Sequence, residues 1–582
     1  MRIAVTGAGV VSSLGIGREA NMEALLNERS GIAAPAILPT IHTHLPVGEV
    51  KYSDRRLSEM IGIPDGTILP RTSLLGIFAA REALAQAGLE PDADMAFVSG
   101  TTVGGMDLTE RYWNQYIQGL HTETIALHEA GESTLAIARY LAPHSRPQFA
   151  FVATPSTACS SALNAIMTGA DMIRTGTVKS VLVGGSESLS LFHFNGFRSL
   201  MILDTEVCRP FDATRAGLNL GEGAGYLVME SEESALQRGA EILAYIGGYA
   251  NACDAFHQTA SSEKGEGAYL AMTHAIGMAG LQPEDIGFVK AHGTATPNND
   301  ASESEALRRV FGDRMPLVCS TKAFTGHTTS ACGGIEAVFC LMALRRGFVP
   351  ANLNWHSSDG RTVMPNPRTL KKEMRYVLCN AFGFGGNESS LVLSSEPVEL
   401  PAVTVTGEEM RLVASVDQIT LDEQSEYLAP LEARRMTQQT RKMVIASHKA
   451  LHEAGIDVPD AIVCATRWGC MEQSMRFLTG MLQSQEQDVK PTFFMQSTHN
   501  TIASAIAIRI GCHGYNNTYS QGERSLECAL TDIRCQMALG RISNALVLEF
   551  DEKVEQWDQV LKHIGTQTMN LARAYVYRLT EQ

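Results

Sequence analysis

The sequence lacks the features that mark secreted, membrane-spanning and metal-bound proteins. Its 582 residues contain no uncharged apolar run long enough to cross a bilayer, and the opening MRIAVTGAGVV lacks the basic and apolar regions of a signal peptide. The twelve cysteines include no CxxC pair and no His/Cys cluster at zinc spacing. We therefore expect a cytoplasmic protein with no membrane partner, no disulfide framework and no metal site.

The sequence also lacks positive charge. It has 47 Lys and Arg against 63 Asp and Glu, a formal net charge of −16 at pH 7. Because nucleic acid needs a basic face, it is excluded as a general partner. The chain has 45% hydrophobic and 19% charged residues. This composition and the length are typical of a globular protein with more than one packed core.

Short β-rich runs alternate with helical patterns through the first 400 residues. RIAVTG, MAFVSGT, QFAFVAT and SVLVGGS read as strands around the helical TSLLGIFAAREALAQAGL and SSALNAIMTGADMIRTG, and a second set begins near residue 240. This alternation predicts an α/β fold with a largely parallel sheet. We assign one half to residues 1–247 and another to 248–397, followed by a linker over 398–409 that is rich in Pro, Val and acidic residues.

Residues 410–582 repeat the beginning of the chain. MRLVAS echoes MRIAVT, ALHEAGI echoes ALAQAGL, and AIVCATRWGCM echoes AFVSGTTVGGM, in the same order. Aligning Gly540 with Gly176, 364 residues apart, places Glu523 where the first copy has Cys159. The tail is therefore expected to be an inactive half-length domain without a nucleophile.

Cys159 is the candidate nucleophile. In FVATPSTACSSALNAI a β-rich run breaks and a helical pattern starts just after this cysteine. The thiol is expected at a helix N-terminus, where the positive end of the dipole lowers a thiol pKa and favours the thiolate. From this segment alone, a buried structural cysteine is an equal alternative.

Two histidines lie in loops that follow predicted strands. His292 stands in VKAHGTATPNND and His327 in STKAFTGHTTSACGG, with Lys322 five residues before His327. A lone histidine in such a loop is more often a hydrogen-bonded structural residue. Together with a nucleophile, however, the set forms an arrangement of nucleophile and polarising groups.

A glycine-rich loop, NAFGFGGNESS, surrounds Phe384 with Gly383 and Gly385. Glycines permit close backbone approach, and a backbone N–H from such a loop can stabilise an oxyanion. A plain tight turn is the alternative. The other glycine motif, VTGAGVVSSLG, has Ser12 in place of the third glycine of a dinucleotide fingerprint, so no nucleotide cofactor is predicted.

Taken together, these motifs resemble the elongating β-ketoacyl-[acyl carrier protein] synthases of fatty acid and type II polyketide pathways. VTGAGVVSSLG, TACSSAL, RPFDATRAGLNLGEGAG, AHGTATPNND, STKAFTGHTTSACG and NAFGFGGNESS occur in family order over residues 1 to about 397. The resemblance implies a thiolase-like fold of two βαβ-rich halves in αβαβα layers, followed here by an additional degenerate thiolase-like half-domain. It also implies decarboxylative Claisen condensation of an acyl thioester with malonyl-[acyl carrier protein], in fatty acid or in polyketide or aryl-polyene-type biosynthesis.

The resemblance implies a role for each residue that matches a family motif. Cys159 accepts the acyl group from carrier-bound pantetheine, and His292 and His327 hydrogen-bond the malonyl thioester oxygen. Backbone N–H groups of Cys159 and Phe384 form the oxyanion hole, and Phe384 gates the pocket. The remaining implied residues are Lys322 and Glu303 as a support pair, Thr259, Thr294 and Thr296 at the pantetheine, and Val103 in the acyl pocket, where the repeat has Trp468. No cofactor is implied beyond the phosphopantetheine of the carrier.

The implied partners are an acyl carrier protein and its malonyl and acyl thioesters. The Cys-His-His set differs from that of initiating synthases, and no second cysteine motif stands where thiolases have one. A thiolase acting on acyl-CoA and a non-catalytic chain-length factor or scaffold are the alternatives. Because the repeat resembles the chain-length factors that pair with active synthases, we expect either a homodimer or an intrachain pseudo-dimer. The segment PRTSLLGIFAAREAL, expected at the surface, lacks the basic cluster that docks carrier proteins in familiar members, apart from Arg71.

Overall fold

The computed structural model describes residues 1–141, 149–403, 408–417 and 419–581. Part of the predicted linker, residues 404–407, and the last residue of the predicted repeat lie outside the described residues. Within them, no helix is long and apolar enough to cross a membrane. The strands are β1 Ile3–Ser12, β2 Gly15–Ile16, β3 Met95–Gly100, β4 Phe151–Ala153, β5 Ser180–Glu187, β6 Gly223–Ser231, β7 Ala244–Cys253, β8 Ile286–Lys290, β9 Leu317–Cys319, β10 Phe348–Val349, β11 Leu370–Lys371, β12 Tyr376–Gly383, β13 Asn387–Ser394, β14 Glu408–Val416, β15 Ala461–Ala465, β16 Tyr515–Tyr519, β17 Asn544–Asp551 and β18 Leu571–Glu581.

The helices are distributed over both parts of the chain. They are α1 Arg18–Leu26, α2 Asp54–Ile61, α3 Arg71–Ala87, α4 Met106–Ile117, α5 Ala130–Leu141, α6 Ser161–Arg174, α7 Leu191–Ser199, α8 Glu232–Gln237, α9 Glu266–Met278, α10 Pro297–Phe311, α11 Lys322–Thr325, α12 Cys332–Arg346, α13 Gln424–Tyr427, α14 Pro430–Ala433, α15 Gln438–Ala454, α16 Met471–Gln483, α17 Pro491–Met495, α18 Thr501–Ile510, α19 Ser525–Ala538 and α20 Glu555–Leu561.

One large sheet runs through the first 400 residues in two halves of the same design. Its strand order is β4-β3-β5-β6-β1-β7-β13-β12-β8-β9, with β2 paired to β1, and β1 joins the halves by pairing antiparallel with β7. The predicted boundary between residues 247 and 248 is wrong, because it falls inside β7. Gly248 lets this strand approach α9, since a Cβ atom there would lie 2.3 Å from the Ala275 carbonyl oxygen.

Two helices lie between the halves. Every residue of α6 is buried, and α12 is buried from Cys332 to Leu344. A helix that is buried all round needs small and apolar residues on every face, which SALNAIMTGADMIR largely supplies. Since α3 and α5 pack on the first half and α9 and α10 on the second, the layers are α, β, α, β, α. This confirms the implied thiolase-like fold. The predicted largely parallel sheet is wrong, because the sheet is mixed: β1 pairs antiparallel with both β6 and β7.

Arg71 is not a surface residue. It begins α3, but its side chain is 5% exposed and bound to Glu222 and Asp54, so the expectation of a surface arginine is wrong.

The tail forms a separate five-stranded sheet that repeats the first half. Its order, β14-β18-β17-β15-β16, matches β1-β6-β5-β3-β4 strand for strand. An offset of 364 residues, from 161 to 525, carries all of α6 onto α19 and all of β5 onto β17. The degenerate half-domain is confirmed, although the predicted linker is too long at its end, because β14 begins at Glu408.

Backbone hydrogen bonds join the repeat to the catalytic half. The N–H of Ser156 donates to the Thr518 carbonyl at 2.8 Å, and the N–H of Ser520 donates to the Thr154 carbonyl at 3.0 Å. The same offset of 364 separates Thr154 from Thr518 and Ser156 from Ser520. Each hydrogen bond is therefore the counterpart of the other across a local pseudo-twofold axis.

Candidate active site

The nucleophile turn lies between β4 and α6. Cys159 sits in the single 3₁₀ turn Ala158–Ser160 and is 5% exposed. Ala158 has a left-handed φ of 56°, which the small alanine side chain tolerates and which helps turn the chain sharply before the helix. Gly383, at the end of β12, approaches this turn closely, because a Cβ atom there would lie 2.8 Å from the Thr157 carbonyl oxygen.

The three predicted catalytic side chains converge. His327 Nε2 lies 3.0 Å from Cys159 Sγ, and ligating atoms of Cys159, His292 and His327 all lie within 4.8 Å of one another. Loops supply both imidazoles, as the sequence predicted, but the loop that holds His327 follows the short helix α11 and not a strand. Because Cys and His are also zinc ligands, these are the residues that would hold a metal ion, if one binds here.

Burial controls the protonation of this trio. It raises the pKa of the Cys159 thiol, against smaller lowering effects of the Lys322 charge and the Phe384 backbone N–H. Burial thus acts against the lowered thiol pKa that was expected from the helix N-terminus, and that expectation is wrong. Burial, followed by the charge of Lys322, holds the pKa of both His292 and His327 well below the usual range, so both rings are neutral.

A buried charge cluster lies behind the histidines. Lys322 Nζ lies 2.8 Å from Glu336 Oε1, and Lys290 binds the other oxygen of the same carboxylate. Glu303 is elsewhere: it accepts the backbone N–H groups of His292 and Gly293, each at 2.7 Å. Lys322 and Glu303, the implied support pair, are not ion-paired with each other among the described residues: Glu303 fixes the His292 loop, and Glu336 neutralises both lysines.

Glu336 and Lys290 were missed by the sequence analysis. Glu336 is the only acidic residue of α12, CGGIEAVFCLMALRR, and a lone carboxylate in a helix that is otherwise mostly apolar was the available signal. Lys290 was a second signal, because it is a charged residue at the end of the buried strand β8.

The predicted pantetheine residues line the active-site cavity, which has a volume of about 350 Å³. The hydroxyls of Thr294 and Thr296 are 2.9 Å apart at its wall. The predicted residues on this wall are Cys159, Thr259, His292, Thr294, Thr296, His327, Gly383, Phe384 and Gly385.

Val103 lies outside this cavity. It lines a second, smaller space of about 40 Å³, the interface cavity, formed by Val103 and Phe192 of the catalytic half and by Trp468, Phe494 and His499 of the repeat. The repeat therefore supplies about half of the wall around the residue that was matched to an acyl-pocket position.

Three aromatic rings connect the walls of the two cavities. Phe197 stacks on Phe384 with ring centroids 5.6 Å apart and meets Phe494 at 5.5 Å. Phe197 and Phe384 face the active-site cavity, and Phe494 faces the interface cavity. A movement of Phe384 would thus change the barrier between the nucleophile and the interface cavity.

The repeat also holds the Phe384 loop, the predicted gating loop, directly. Asn500 Nδ2 donates to the Phe384 carbonyl oxygen at 2.9 Å. Gly385, with φ 89°, makes this approach possible, since a Cβ atom there would lie 2.8 Å from Asn500 Nδ2. Nothing in the sequence pattern indicated this contact.

The repeat has no nucleophile of its own in the matching turn. Gly522–Arg524 forms the same 3₁₀ turn as Ala158–Ser160 at the offset of 364, with Glu523 in the place of Cys159. The Glu523 side chain is 88% exposed and lies 3.6 Å from Arg467. This confirms the expected loss of the cysteine.

Comparisons with known sequences agree with this architecture. A family profile described as "Beta-ketoacyl synthase, N-terminal domain" matches residues 1–235, and one described as "Beta-ketoacyl synthase, C-terminal domain" matches residues 243–356. A second N-terminal-domain profile matches residues 409–580. The 3-oxoacyl-[acyl-carrier-protein] synthase 2 of Vibrio cholerae serotype O1 is 34% identical over 417 residues, covering 67% of this chain and 98% of the relative. Nodulation protein E of Rhizobium meliloti (strain 1021) is 34% identical over 416 residues, with the same coverage.

Solved structures extend the similarity to the tail. A structure titled "The ishigamide ketosynthase/chain length factor" matches with a TM-score of 0.63 and 32% identity, covering 68% of this chain and 99% of that one. The "PfaC Keto synthase-Chain length factor" structure covers 99% of this chain and 78% of its own, with a TM-score of 0.80. Its identity is 16%, so it shows a shared fold that includes the repeat.

Proposed function

The chain belongs to the β-ketoacyl synthase family, and on that premise we propose that residues 1–397 carry the condensing site while residues 408–581 act as a built-in chain-length factor. The protein is a β-ketoacyl-[acyl carrier protein] synthase, an acyltransferase that extends an acyl thioester by decarboxylative Claisen condensation with malonyl-[acyl carrier protein]. This reaction serves fatty acid or polyketide biosynthesis. The observation that carries the site assignment is the convergence of Cys159, His292 and His327.

In the first half-reaction, Cys159 takes the acyl group from a carrier thioester. His327 Nε2 is 3.0 Å from the sulfur, so its N–H hydrogen-bonds the thiolate that attacks, and the proton that the thiol releases ends on the departing pantetheine sulfur. The backbone N–H of Phe384 lies close enough to the sulfur to act against the raised pKa of the Cys159 thiol. With the N–H of Cys159, it would bind the oxyanion of the tetrahedral intermediate.

In the second half-reaction, a malonyl thioester loses CO2, its enolate carbon attacks the acyl carbonyl, and the Cys159 thiolate leaves and takes up a proton from water. During decarboxylation, negative charge develops on the malonyl thioester oxygen, where His292 and His327 each offer an N–H donor. Their lowered pKa values keep both rings neutral, so each donor polarises the oxygen without giving up its proton to bulk water. The Lys322–Glu336–Lys290 cluster lies behind the two imidazole rings, and its ion pairs hold both lysine charges in place.

The repeat takes the place that a second synthase subunit would occupy. Support comes from the reciprocal backbone hydrogen bonds of Thr154 and Ser520 and from Trp468 in the wall of the interface cavity. A bulky side chain at the far end of an acyl pocket limits the length of chain that fits. We therefore propose an intrachain pseudo-dimer with one active site, in which the repeat sets product length.

The two alternatives predict different residues. A thiolase would need a second cysteine at the reacting atoms, but the neighbouring thiol of Cys332 donates to the Cys159 carbonyl oxygen, and Cys332 is not among the residues that line the active-site cavity. A non-catalytic scaffold would be expected to lack Cys159. We also propose a cytoplasmic location, supported by twelve cysteines that are all free, and no cofactor besides the phosphopantetheine of the carrier.

The test is a reconstituted condensation with acyl- and malonyl-carrier proteins, followed by product mass spectrometry. The protein should release CO2 and a β-ketoacyl product two carbons longer than the primer. Cys159→Ala should abolish acyl transfer, and condensation that persists in that variant would overturn the assignment. Activity with acyl-CoA and acetyl-CoA but not with any carrier would favour the thiolase alternative.

A further inference from the structure

Glu388 lines the active-site cavity, but no step of the proposed condensation uses it. It lies near the start of β13, is 3% exposed, and shares the cavity wall with Cys159 and His292. Its Oε2 atom is buried and has no hydrogen-bond partner among the described residues. Because an unpaired buried carboxyl oxygen is costly, its position in a cavity wall indicates a group whose hydrogen bonding a ligand completes.

The pairing of β13 with β12 places Glu388 on the His292 side of the cavity. Glu388 lies opposite Phe382 in this antiparallel pair, so the two side chains share one face of the sheet. Phe382 also lines the cavity, and its ring centroid lies 5.8 Å from that of His292. Glu388 is therefore close to the imidazole that is proposed to bind the malonyl thioester oxygen.

The first turn of α9 leaves room for the Glu388 side chain. A Cβ atom on Gly267 would lie 2.7 Å from Glu388 Cγ, so only a glycine fits beside the glutamate without displacing it. The Gly267 N–H does not pair with Glu388, because it donates to Asp254 Oδ1 at 2.9 Å. The helix thus makes space for the carboxyl group and leaves it free for another partner.

The charged groups that act on Glu388 are both acidic. Burial, followed by the charges of Asp254 and Glu303, raises the pKa of the Glu388 carboxyl well above its usual range. Both neighbours have partners of their own: Asp254 accepts the hydroxyl and the N–H of Ser262, each at 2.7 Å, and Glu303 accepts the N–H of His292. A protonated carboxyl group has an O–H, so Glu388 can donate to an oxygen atom of a bound molecule.

The other residues of the cavity wall suit an uncharged Glu388. Its titratable groups are Cys159, His257, His292 and His327, and no Lys or Arg is found in the described part of this wall. A malonyl group brings a carboxylate into the same space. An ionised Glu388 would repel that carboxylate, whereas a protonated Glu388 would bind it through its O–H.

We propose that Glu388 is a substrate-binding residue whose carboxyl group donates a hydrogen bond to an oxygen atom of the carrier-bound substrate. The proposal rests on the proposed function, because it assumes that pantetheine thioesters enter this cavity. Two substrate oxygens offer the same acceptor chemistry. An amide carbonyl of the pantetheine arm is present in both half-reactions, and the malonyl carboxylate is present only in the second.

The test compares two substitutions at this one position. Glu388→Gln keeps the size of the side chain and supplies an N–H donor, whereas Glu388→Leu keeps similar bulk without a donor. One readout is the KM of an acyl-carrier protein in the acylation of Cys159. The other is the KM of a malonyl-carrier protein in the release of CO2.

A third measurement separates substrate binding from damage to the site. Methyl methanethiosulfonate modifies the Cys159 thiol but carries neither a pantetheine arm nor a malonyl group. Its reaction rate should stay within about twofold of that of the unaltered protein in both variants. If Glu388→Leu does not fold, Glu388→Met replaces it with the same expectations, because the more flexible methionine adapts to the space.

For Glu388→Leu, we expect KM to rise about three- to tenfold in both half-reactions if the acceptor is a pantetheine amide. If the acceptor is the malonyl carboxylate, KM should rise about tenfold or more in CO2 release alone, because a hydrogen bond to a charged oxygen is stronger. In either case, Glu388→Gln should stay within about twofold of the unaltered protein.

The proposal is overturned if Glu388→Leu leaves both KM values unchanged, or if Glu388→Gln raises them as much as Glu388→Leu does. It is also overturned if modification of Cys159 by the thiosulfonate slows as much as acylation, because Glu388 would then support the site and not bind the substrate. In all three outcomes the unaltered protein still condenses carrier-bound substrates. Failure of the proposed function is a separate result, in which the unaltered protein condenses no such substrate at all.

Discussion

Thr154 and Ser520 are joined by a backbone hydrogen bond of 3.0 Å, and its pseudo-twofold counterpart from Ser156 to Thr518 measures 2.8 Å. Both copies of the duplicated half thus use the same segment to meet each other. One copy continues into a nucleophile turn with Cys159, and the other into a turn with Glu523. The chain places an active half against an inactive half, and the predictions below follow from that asymmetry.

The first prediction concerns product length. Replacing Trp468 by Leu removes part of an indole from the wall of the interface cavity and should extend the products by at least one two-carbon unit. Product mass spectrometry of the condensation reaction measures the shift.

Trp468→Phe is the matched control, because it keeps an aromatic ring and should shift the distribution less. Thermal unfolding of both variants separates a changed pocket from a damaged core, since large-to-small changes in a core cost about 2–5 kcal/mol. An unchanged product distribution in a folded Trp468→Leu variant would contradict the role of the repeat in chain length.

The second prediction concerns the buried lysines. Glu336→Gln leaves Lys322 and Lys290 without their shared carboxylate. Removing one partner of a buried ion pair costs about 3–5 kcal/mol, so chemical denaturation should show a loss of that order.

A double-mutant cycle decides which carboxylate Lys322 needs. The coupling free energy between Lys322→Met and Glu336→Gln should exceed about 1 kcal/mol, whereas coupling between Lys322→Met and Glu303→Gln should be below about 0.5 kcal/mol. A larger coupling free energy for Lys322 with Glu303 than for Lys322 with Glu336 would show that Lys322 depends on Glu303 instead.

The third prediction concerns the gating loop. Asn500→Ala removes the hydrogen bond to the Phe384 carbonyl, and the N–H of Phe384 is a proposed oxyanion donor. A neutral hydrogen bond contributes about 0.5–1.5 kcal/mol, so acylation of Cys159 should slow roughly two- to tenfold.

Ser504→Ala is the control for that variant. Ser504 also lies against Gly385, but its buried hydroxyl has no partner among the described residues, so its removal should change the acylation rate little. Equal rates for Asn500→Ala and the unaltered protein in a stopped-flow or quench measurement would show that the repeat does not act on the loop.

The fourth prediction concerns pH and stability. Glu552 is 5% exposed, and burial raises the pKa of its carboxyl from 4.5 to about 7, with Glu472 and Asp551 adding to the rise and Arg476 opposing it. The folded state therefore binds a proton more tightly than the unfolded state. The contribution of this group to stability is full below about pH 4.5 and is lost as the pH rises through 7.

Glu552→Gln should remove that loss, because the amide oxygen can still accept the Glu472 backbone N–H. We expect equal free energies of unfolding at pH 4 and a variant that is more stable by on the order of 2 kcal/mol at pH 8. Denaturant unfolding at both pH values measures the difference. A variant less stable than the unaltered protein at pH 8 would contradict the assignment of a buried, raised carboxyl.

The order of the motifs predicted the fold and the candidate site, but it predicted few of the contacts between residues that lie far apart in the sequence. The nucleophile, both histidines and the loss of the cysteine in the repeat were visible because each depends on a short local pattern. The contact between Lys322 and Glu336 was not predicted, because Glu336 lies on the mostly apolar helix α12 and only tertiary packing brings it to the lysine. The pKa direction of Cys159 was missed because the helix N-terminus is local, whereas burial by β12 and α12 depends on tertiary packing.

The contacts between the copies were beyond the reach of pattern reading for a similar reason. Asn500 lies 116 residues after Phe384, whose carbonyl oxygen it binds, and only the packing of the repeat brings the two together. The repeat itself was recognised in the sequence, but the roles of its side chains depend on the residues that they contact in the folded chain.

Native mass spectrometry of the purified protein during turnover tests the central claim most directly. After incubation with an acyl-carrier protein, the account predicts a species with the mass of one chain carrying one acyl group on Cys159. Adding malonyl-carrier protein should convert that species to free enzyme and a β-ketoacyl product two carbons longer. Acylation found only in particles of two or more chains would contradict the intrachain pseudo-dimer, and condensation without an acyl group on Cys159 would contradict the active site itself.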